Sequence, residues 1–341
     1  MEEDKCSLIS GWMISIKRAM DVCGLDFNLA CKKLAIDTSD FTNPESRISS
    51  NNTTEILEFC NQELNRNDFA LLVAEQFHPN IFHVLGYAMM SSENLQSALE
   101  CIAHYKKVVS NTCKLNVLET TNQLIFSMHI FNDKNTNKAV LSYVSVELFI
   151  ATMVKFSREL AGSNVNPIKI LFSYPEPSYD IDFLIKYFKC DIEFDAKNTA
   201  IIFDLTQAQN KVIASNSLIT QVHEKLLASF MSRIDKDDLQ LVAKSKIFEL
   251  LPLGAFSQPI IAKNLGYSLR SFQRKLKEQG TSYKIILDQT RKELALGYIK
   301  QQHLTYTEIS YLVGFSCVAN FNRAFKQWTN TTPSQHRKSI K

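Results

Sequence analysis

The sequence predicts an α+β N-terminal domain joined to an all-α domain that holds two helix-turn-helix units. Three observations carry this. Apolar residues alternate at every second position over 123–131, the period of a strand, inside a region otherwise spaced like helices. Beyond residue 241 the helical period is unbroken, and glycines punctuate it at short intervals. A short helix, a glycine turn and a second helix with a polar face then occur twice there, at about 257–279 and 305–328.

In chain order, 12–34 reads helical through Ile16, Met20 and Cys23, with a break at Gly24. Further helices are expected over 53–64, 68–77 and 95–109. In the last of these, the stripe Tyr105, Val108 and Val109 reads as core rather than ligand pocket. Leu115 and Val117 mark a strand, and Leu124, Phe126, Met128 and Ile130 its hairpin partner. A long helix over 139–160, a strand over 169–172, a short helix over 181–188 and strands over 192–194 and 200–203 complete a small sheet packed by helices. That order defines an α+β domain over 1–210. Over 211–240, Leu218, Val222 and Leu226 fall four apart ahead of Asp235-Lys236-Asp237-Asp238, which predicts a helical linker with a polar hinge.

The all-α domain spans 241–341. A helix over 241–251 ends near Pro252 and Gly254. The first unit has a short helix over 259–265, a turn at Gly266, an N-cap at Ser268, and Phe272 and Leu276 four apart on the inner face. A connecting helix over 282–300 turns Ile286, Thr290, Leu294 and Gly297 inward. Thr305-Tyr306-Thr307-Glu308 is a capping box that opens the second unit. Gly314 is its turn, Ser316 its N-cap, and Phe321 and Phe325 its buried pair. Pro333 takes the first position of a closing helix.

Composition bounds the function. At 341 residues, 45% hydrophobic and 21% charged, the chain is neither disordered, collagen-like nor a coiled coil. No apolar run approaches the roughly 20 residues of a membrane span, and the N-terminus is acidic where a secretory signal is basic, so a soluble cytoplasmic protein is expected. The eight cysteines are scattered without a CxxC or Cys/His cluster, which favours reduced, mostly buried thiols over zinc or disulfides. Charge is divided sharply. Residues 242–341 carry 16 Lys/Arg against 5 Asp/Glu, whereas the other 241 residues carry 22 against 30. A basic block on an acidic body is the footprint of a nucleic-acid-binding module.

The motifs sharpen this. The run Ile261-Ala262-Lys263-Asn264-Leu265-Gly266-Tyr267-Ser268-Leu269-Arg270-Ser271-Phe272-Gln273-Arg274-Lys275-Leu276, then Val313-Gly314-Phe315-Ser316, Asn320-Phe321-Asn322-Arg323-Ala324-Phe325-Lys326-Gln327-Trp328 and Thr332-Pro333, resembles the DNA-binding domain of AraC/XylS transcription regulators. The resemblance covers 254–338 and implies two helices that enter the major groove of promoter DNA about one helical turn, roughly 34 Å, apart. By position in that motif, Arg270, Gln273 and Arg274 are expected to read bases, since arginine pairs with guanine and glutamine with adenine. Val318, Ala319, Asn322 and Arg323 are their counterparts. Where the family often has Glu/Asp and Ser, this chain has Cys317-Val318-Ala319, so less specificity is expected from the second unit. Ser268, Lys263, Lys275, Lys277, Lys284, Ser316, Lys326 and Arg337 are the candidate phosphate contacts.

The segment Leu85-Gly86-Tyr87-Ala88-Met89-Met90-Ser91-Ser92, with Leu95, Ala98 and Leu99, resembles the arabinose-binding-type N-terminal domain of an AraC subgroup that includes ornithine-utilisation regulators. So do Tyr187-Phe188, Ile192-Glu193-Phe194, Asn198 and Ile201-Ile202-Phe203-Asp204. The resemblance implies an effector-responsive regulator with a small-molecule effector, RNA polymerase as a further partner and a homodimer as one assembly. It names no effector-binding residue. Two alternatives stand beside it: an N-terminal domain that serves only protein interaction or dimerisation, and a DNA-modifying enzyme on the same DNA-binding module. Against the enzyme, the chain lacks a GxSxG, a phosphate-binding glycine loop, an HExxH and a dinucleotide fingerprint. No catalytic residue, metal ligand or cofactor is expected, and His78 and His83 read as capping or core histidines.

Overall fold

A computed structural model describes residues 6–42, 46–133, 136–212, 222–223, 226–227, 239–251 and 254–339. The chain divides into two compact units, Met1–Ser215 and Asn216–Lys341. Most of the helical linker expected over 211–240 lies outside the described residues; of its apolar stripe, Val222 and Leu226 are described and exposed.

In the first unit a short antiparallel pair, β1 (Ser7–Ile9) and β2 (Arg47–Ser49), is flanked by helices α1 (Trp12–Val22), α2 (Phe27–Lys33) and α3 (Ser50–Glu63). Helices α4 (Phe69–Glu75), α5 (His83–Met90) and α6 (Leu95–Tyr105) follow. Then come β3 (Cys113–Glu119), β4 (Gln123–Ile130), α7 (Tyr143–Ala161), β5 (Lys169–Leu171), α8 (Asp182–Phe188), β6 (Asp191–Glu193), β7 (Thr199–Asp204) and α9 (Leu205–Gln209). The five long-range strands form one sheet in the order β3-β4-β7-β5-β6, antiparallel except for the β5–β6 pair. Leu124, Phe126 and Met128 on β4 are buried on one face, as their alternation requires, and Phe126 meets Phe149 of α7 at 6.4 Å between rings.

Several boundaries move. The helix expected from 139 starts at Tyr143, because Ser142 caps it by accepting from the Ser145 amide while Ala139 bridges Asn132 in extended backbone. The helix expected over 95–109 ends at Tyr105, and Lys106–Val108 tightens into a 3-10 turn. The pair β1–β2 and helix α5 went unread: three-residue strands are too short for a period to register, and α5 is apolar on nearly every side. The His78 ring does cap a turn, accepting from the Asn80 amide at 3.4 Å.

The second unit contains α10 (Leu239–Leu250), α11 (Gln258–Asn264), α12 (Leu269–Glu278), α13 (Tyr283–Ile299), α14 (Tyr306–Leu312), α15 (Val318–Thr329) and α16 (Pro333–Ser339). All contribute to or pack around one core, in which Phe272, Leu276, Phe321 and Phe325 are fully buried. Each such side chain contributes about 1.5–3 kcal/mol over remaining exposed. Helix α13 buries Ile286, Thr290 and Leu294 as expected, but Ala295 and Ile299 finish its inner side and Gly297 is only half-buried. Lys244 of α10 pairs with Glu293 of α13 at 2.9 Å. Among the described residues no helix is long and apolar enough to cross a membrane.

Candidate nucleic-acid interface

The two helix-turn-helix units are built by the same local chemistry, displaced in sequence. Gly266 takes φ +75 and lets the Tyr267 amide reach back to the Ala262 carbonyl at 2.9 Å. Gly314 takes the same φ of +75, and the Phe315 amide reaches the Ser310 carbonyl at 2.8 Å. Up to this point each residue of the second unit lies 48 positions after its counterpart: Ile309 stands for Ile261 and Val313 for Leu265.

After the turn the displacement becomes 49. Ser268 caps α12, its hydroxyl accepting from the Ser271 amide at 3.2 Å. The residue that caps α15 is Cys317, not Ser316, and its side chain makes no capping bond. One extra residue therefore separates the second turn from its helix. Burial follows this register, with Phe272 and Leu276 matched by Phe321 and Phe325. Arg270, Gln273, Arg274 and Lys277 are matched in turn by Ala319, Asn322, Arg323 and Lys326. Val318 is the counterpart of Leu269 and is half-buried.

On α12, Ser268, Arg270, Ser271, Gln273, Arg274 and Lys277 form one continuous shallow surface. Its long polar side chains, Arg270, Gln273, Arg274 and Lys277, are all exposed. Arg274 pairs with Glu278 at 2.9 Å, with both side chains more than half exposed. An exposed helical pair of this kind is worth about 0.3–0.5 kcal/mol, too little to hold the guanidinium back from a stronger acceptor. Gln273 donates to Gln258 at 3.4 Å, an equally weak tether. Lys275 sits apart from this surface, with Nζ 5.2 Å from the Tyr267 ring. On α15, Ala319, Asn322, Arg323 and Lys326 are exposed, so a face of one methyl, one amide and two cations replaces the four long side chains of α12. Lys263, Lys284 and Ser316 are exposed as well.

Two arginines hold this architecture together, and only one was singled out from sequence. Arg337, expected among the phosphate contacts, turns inward: Nε donates to the Ile299 carbonyl at 2.9 Å and Nη1 to that of Leu304 at 2.8 Å. Its guanidinium also lies 4.5 Å from the Tyr306 ring. A fork closed on two backbone carbonyls serves the joint between α13, α14 and α16. Arg291, missed in the sequence, donates from α13 to the carbonyls of Val313 and Gly314 at 3.1 and 2.6 Å. It is held between the rings of Phe256 (5.1 Å) and Phe315 (4.4 Å), and burial lowers its pKa. The second turn is thus clamped to the connecting helix. At the opposite end of α14, the Thr305 amide and hydroxyl hold the Glu308 carboxyl below its ordinary range, completing the capping box.

Comparison with known proteins places the chain. The arabinose-binding N-terminal domain of AraC transcription regulators matches residues 24–212, and a helix-turn-helix domain matches 261–339. The chain belongs to this AraC family. The Pseudomonas aeruginosa ornithine utilization regulator is 25% identical over 79% of the chain and 78% of its own length. The transcriptional regulator VirS of Mycobacterium tuberculosis is 25% identical over 83% and 82%. In the crystal structure of the Pseudomonas aeruginosa regulator CdpR, the same fold recurs at a TM-score of 0.52 and 15% identity, covering 96% and 98% of the two chains. This AraC-family chain is a DNA-binding transcription regulator with an N-terminal domain of the ligand-binding type.

Proposed function

We propose that this regulator binds promoter DNA by laying α12 and α15 into successive major-groove turns on one face of the duplex, and that its first unit senses a small molecule. The observation that carries the DNA reading is the repeated exposed face, Arg270, Gln273, Arg274 and Lys277 on α12 and Ala319, Asn322, Arg323 and Lys326 on α15. Arg270, Gln273 and Arg274 read base edges in one half-site, with Asn322 and Arg323 beside the apolar Val318 and Ala319 in the other. Each good bidentate pair contributes about 1–3 kcal/mol of discrimination, so the first block of the site is the better defined. Lys277, Lys326, Lys263 and Lys284 neutralise phosphates, with Lys275 at the edge, the Ser268 hydroxyl at the start of α12 and that of Ser316 one residue before the cap of α15.

The domains are 1–210 for sensing and self-association, 211–240 as linker and 241–341 for DNA. The role is that of a non-catalytic cytoplasmic regulator whose protein partners are RNA polymerase and a second copy of the chain. An effector changes DNA binding only through a difference in its affinity for two arrangements of the protein. The test is selection of bound sequences from a random duplex pool by the full chain near physiological salt. The expected product is a site with two blocks about one helical turn apart, the first relaxed by Arg270→Ala. If Arg270→Ala changes neither affinity nor base preference, α12 is not the reading helix.

A further inference from the structure

The first unit contains a cavity that the DNA reading leaves without a role. Its walls come from β1, α1, α3, α6 and the β3–β4 hairpin, closed by the start of α7. Apolar side chains dominate, Trp12, Ile102, Leu115, Met128 and Leu148 among them. All the lining residues are buried except Lys106 and Phe149, which are half-buried and mark where the cavity opens. Val109, from the stripe that reads as core in the sequence, is part of the wall. The space is small, about 40 Å³, which corresponds to room for roughly three waters.

Two polar features set this cavity apart from a packing defect. Thr53 lines it, and its buried hydroxyl has no hydrogen-bond partner among the described residues. A buried hydroxyl left unmatched is costly unless a water or ligand completes it. The second feature is Lys106. Its ammonium donates to the Cys113 carbonyl and lies 5.1 Å from the Phe131 ring, which leaves N–H groups uncommitted. The charged side chains that bear on it are Arg47, Lys107 and Lys114, all cations, and burial together with these lowers its pKa. The Cys113 thiol beside it is held neutral by burial and does not act as a counterion. The turn that carries Lys106 is fixed from outside. Arg47 donates to the carbonyls of Lys107 and Val108 at 3.0 and 3.2 Å and to that of Ser7 at 2.8 Å, so the lysine is held at the opening before any ligand arrives.

We infer that this cavity binds a short aliphatic carboxylate, its chain between Trp12, Met128 and Leu148 and its anionic head on Lys106. A cation with no acidic partner among the described residues, at the mouth of a small apolar cavity, matches one negative charge on a short hydrocarbon body. The same arrangement disfavours a free basic amino acid, whose ammonium groups would meet the Lys106 cation. This assignment rests on the reading of the first unit as the sensing one and names its ligand class.

The experiment uses the full chain and the emission of its two tryptophans, Trp12 in the cavity wall and Trp328 in the other unit. Butyrate, butanol, butylamine and ornithine are each titrated in while the emission is followed. A saturable change in the emission of one tryptophan is expected, with butyrate bound at least about tenfold more tightly than butanol or butylamine. Lys106→Gln should weaken binding about tenfold and Lys106→Arg should restore most of it. If Lys106→Gln does not fold, the head-group series on the unaltered chain decides the matter. Absence of a saturable change, or equal binding of butanol, overturns the assignment. A parallel thermal-shift panel of metabolites separates the two levels. Stabilisation by ornithine or a neutral compound alone rejects the carboxylate and keeps the sensing role, whereas no stabilisation by any compound rejects both.

Discussion

Gly314 and Gly266 occupy equivalent turns with the same φ of +75, yet their surroundings differ. A Cβ added at Gly266 meets no atom of a described residue within 4 Å. One added at Gly314 would stand 2.9 Å from Leu251 Cδ1 and 3.0 Å from two carbons of the Phe256 ring. Alanine in a left-handed conformation costs about 1–2 kcal/mol, partly offset by about 0.4–1 kcal/mol from the stiffer unfolded chain. Gly266→Ala should therefore cost about 0.5–1 kcal/mol. At Gly314 the neighbours cannot simply step aside, because Leu251 is buried and the Phe256 ring lies under the Arg291 guanidinium. Overpacking of this kind adds about 1–3 kcal/mol, for a total of about 2–4. At roughly 4 °C per kcal/mol for a unit of this size, the melting point should fall roughly 2–4 °C in the first variant and 8–16 °C in the second. Thermal unfolding followed by Trp328, which packs on Phe315 at 6.1 Å, reads the relevant unit. Equal losses in the two variants would refute the claim that the second turn is pressed against Leu251 and Phe256.

Other expectations concern the clamp, the interface and a buried acid. Arg291→Lys keeps the charge but not the fork to Val313 and Gly314, and should cost about 2 kcal/mol in urea unfolding while blurring the second block of the selected DNA site. Lys277→Ala should weaken binding to all sequences alike and reduce the slope of log affinity against log salt by about one, whereas Arg270→Ala should alter preference at particular base pairs; filter binding over a salt series distinguishes them. Glu147 on α7 is buried and accepts from the Tyr174 hydroxyl at 2.8 Å, while Oε2 has no hydrogen-bond partner among the described residues. Burial pushes its carboxyl from 4.5 up to about 7. Between those values the folded chain keeps a proton that the unfolded chain has released, so stability falls as pH rises through the window. The full loss, reached above the upper value, is roughly 3 kcal/mol. Glu147→Gln should flatten that slope, which urea midpoints taken near pH 5 and above pH 8 would reveal; an unchanged slope would place the titration elsewhere.

How far the sequence alone reaches depends on the range of the forces involved. Helix starts, glycine turns and inner faces are decided within a few residues, so Ser268, Gly266, Gly314, the Thr305–Glu308 box and the Phe272/Leu276 and Phe321/Phe325 pairs were all legible from spacing and residue type. So was the β3–β4 hairpin, whose period of two is local. The charge division and the repeated motif likewise pointed to DNA. Contacts between distant segments were not legible, because a side chain's partner there depends on how elements pack. Arg337 and Arg323 are both arginines on amphipathic helices, yet packing closes one on the carbonyls of Ile299 and Leu304 and leaves the other in solvent. Arg291 is mid-helix in a run that reads as plain connector, and its role exists only because Phe256 and Phe315 arrive from either side. The same holds for Lys106, one cation in a basic stretch, which becomes the mouth of a cavity only when residues as far apart as Leu8 and Phe149 are folded around it. Local patterning determined which helices form and which faces turn inward; only the packing of remote segments decided which charges are structural and which are free to meet a ligand.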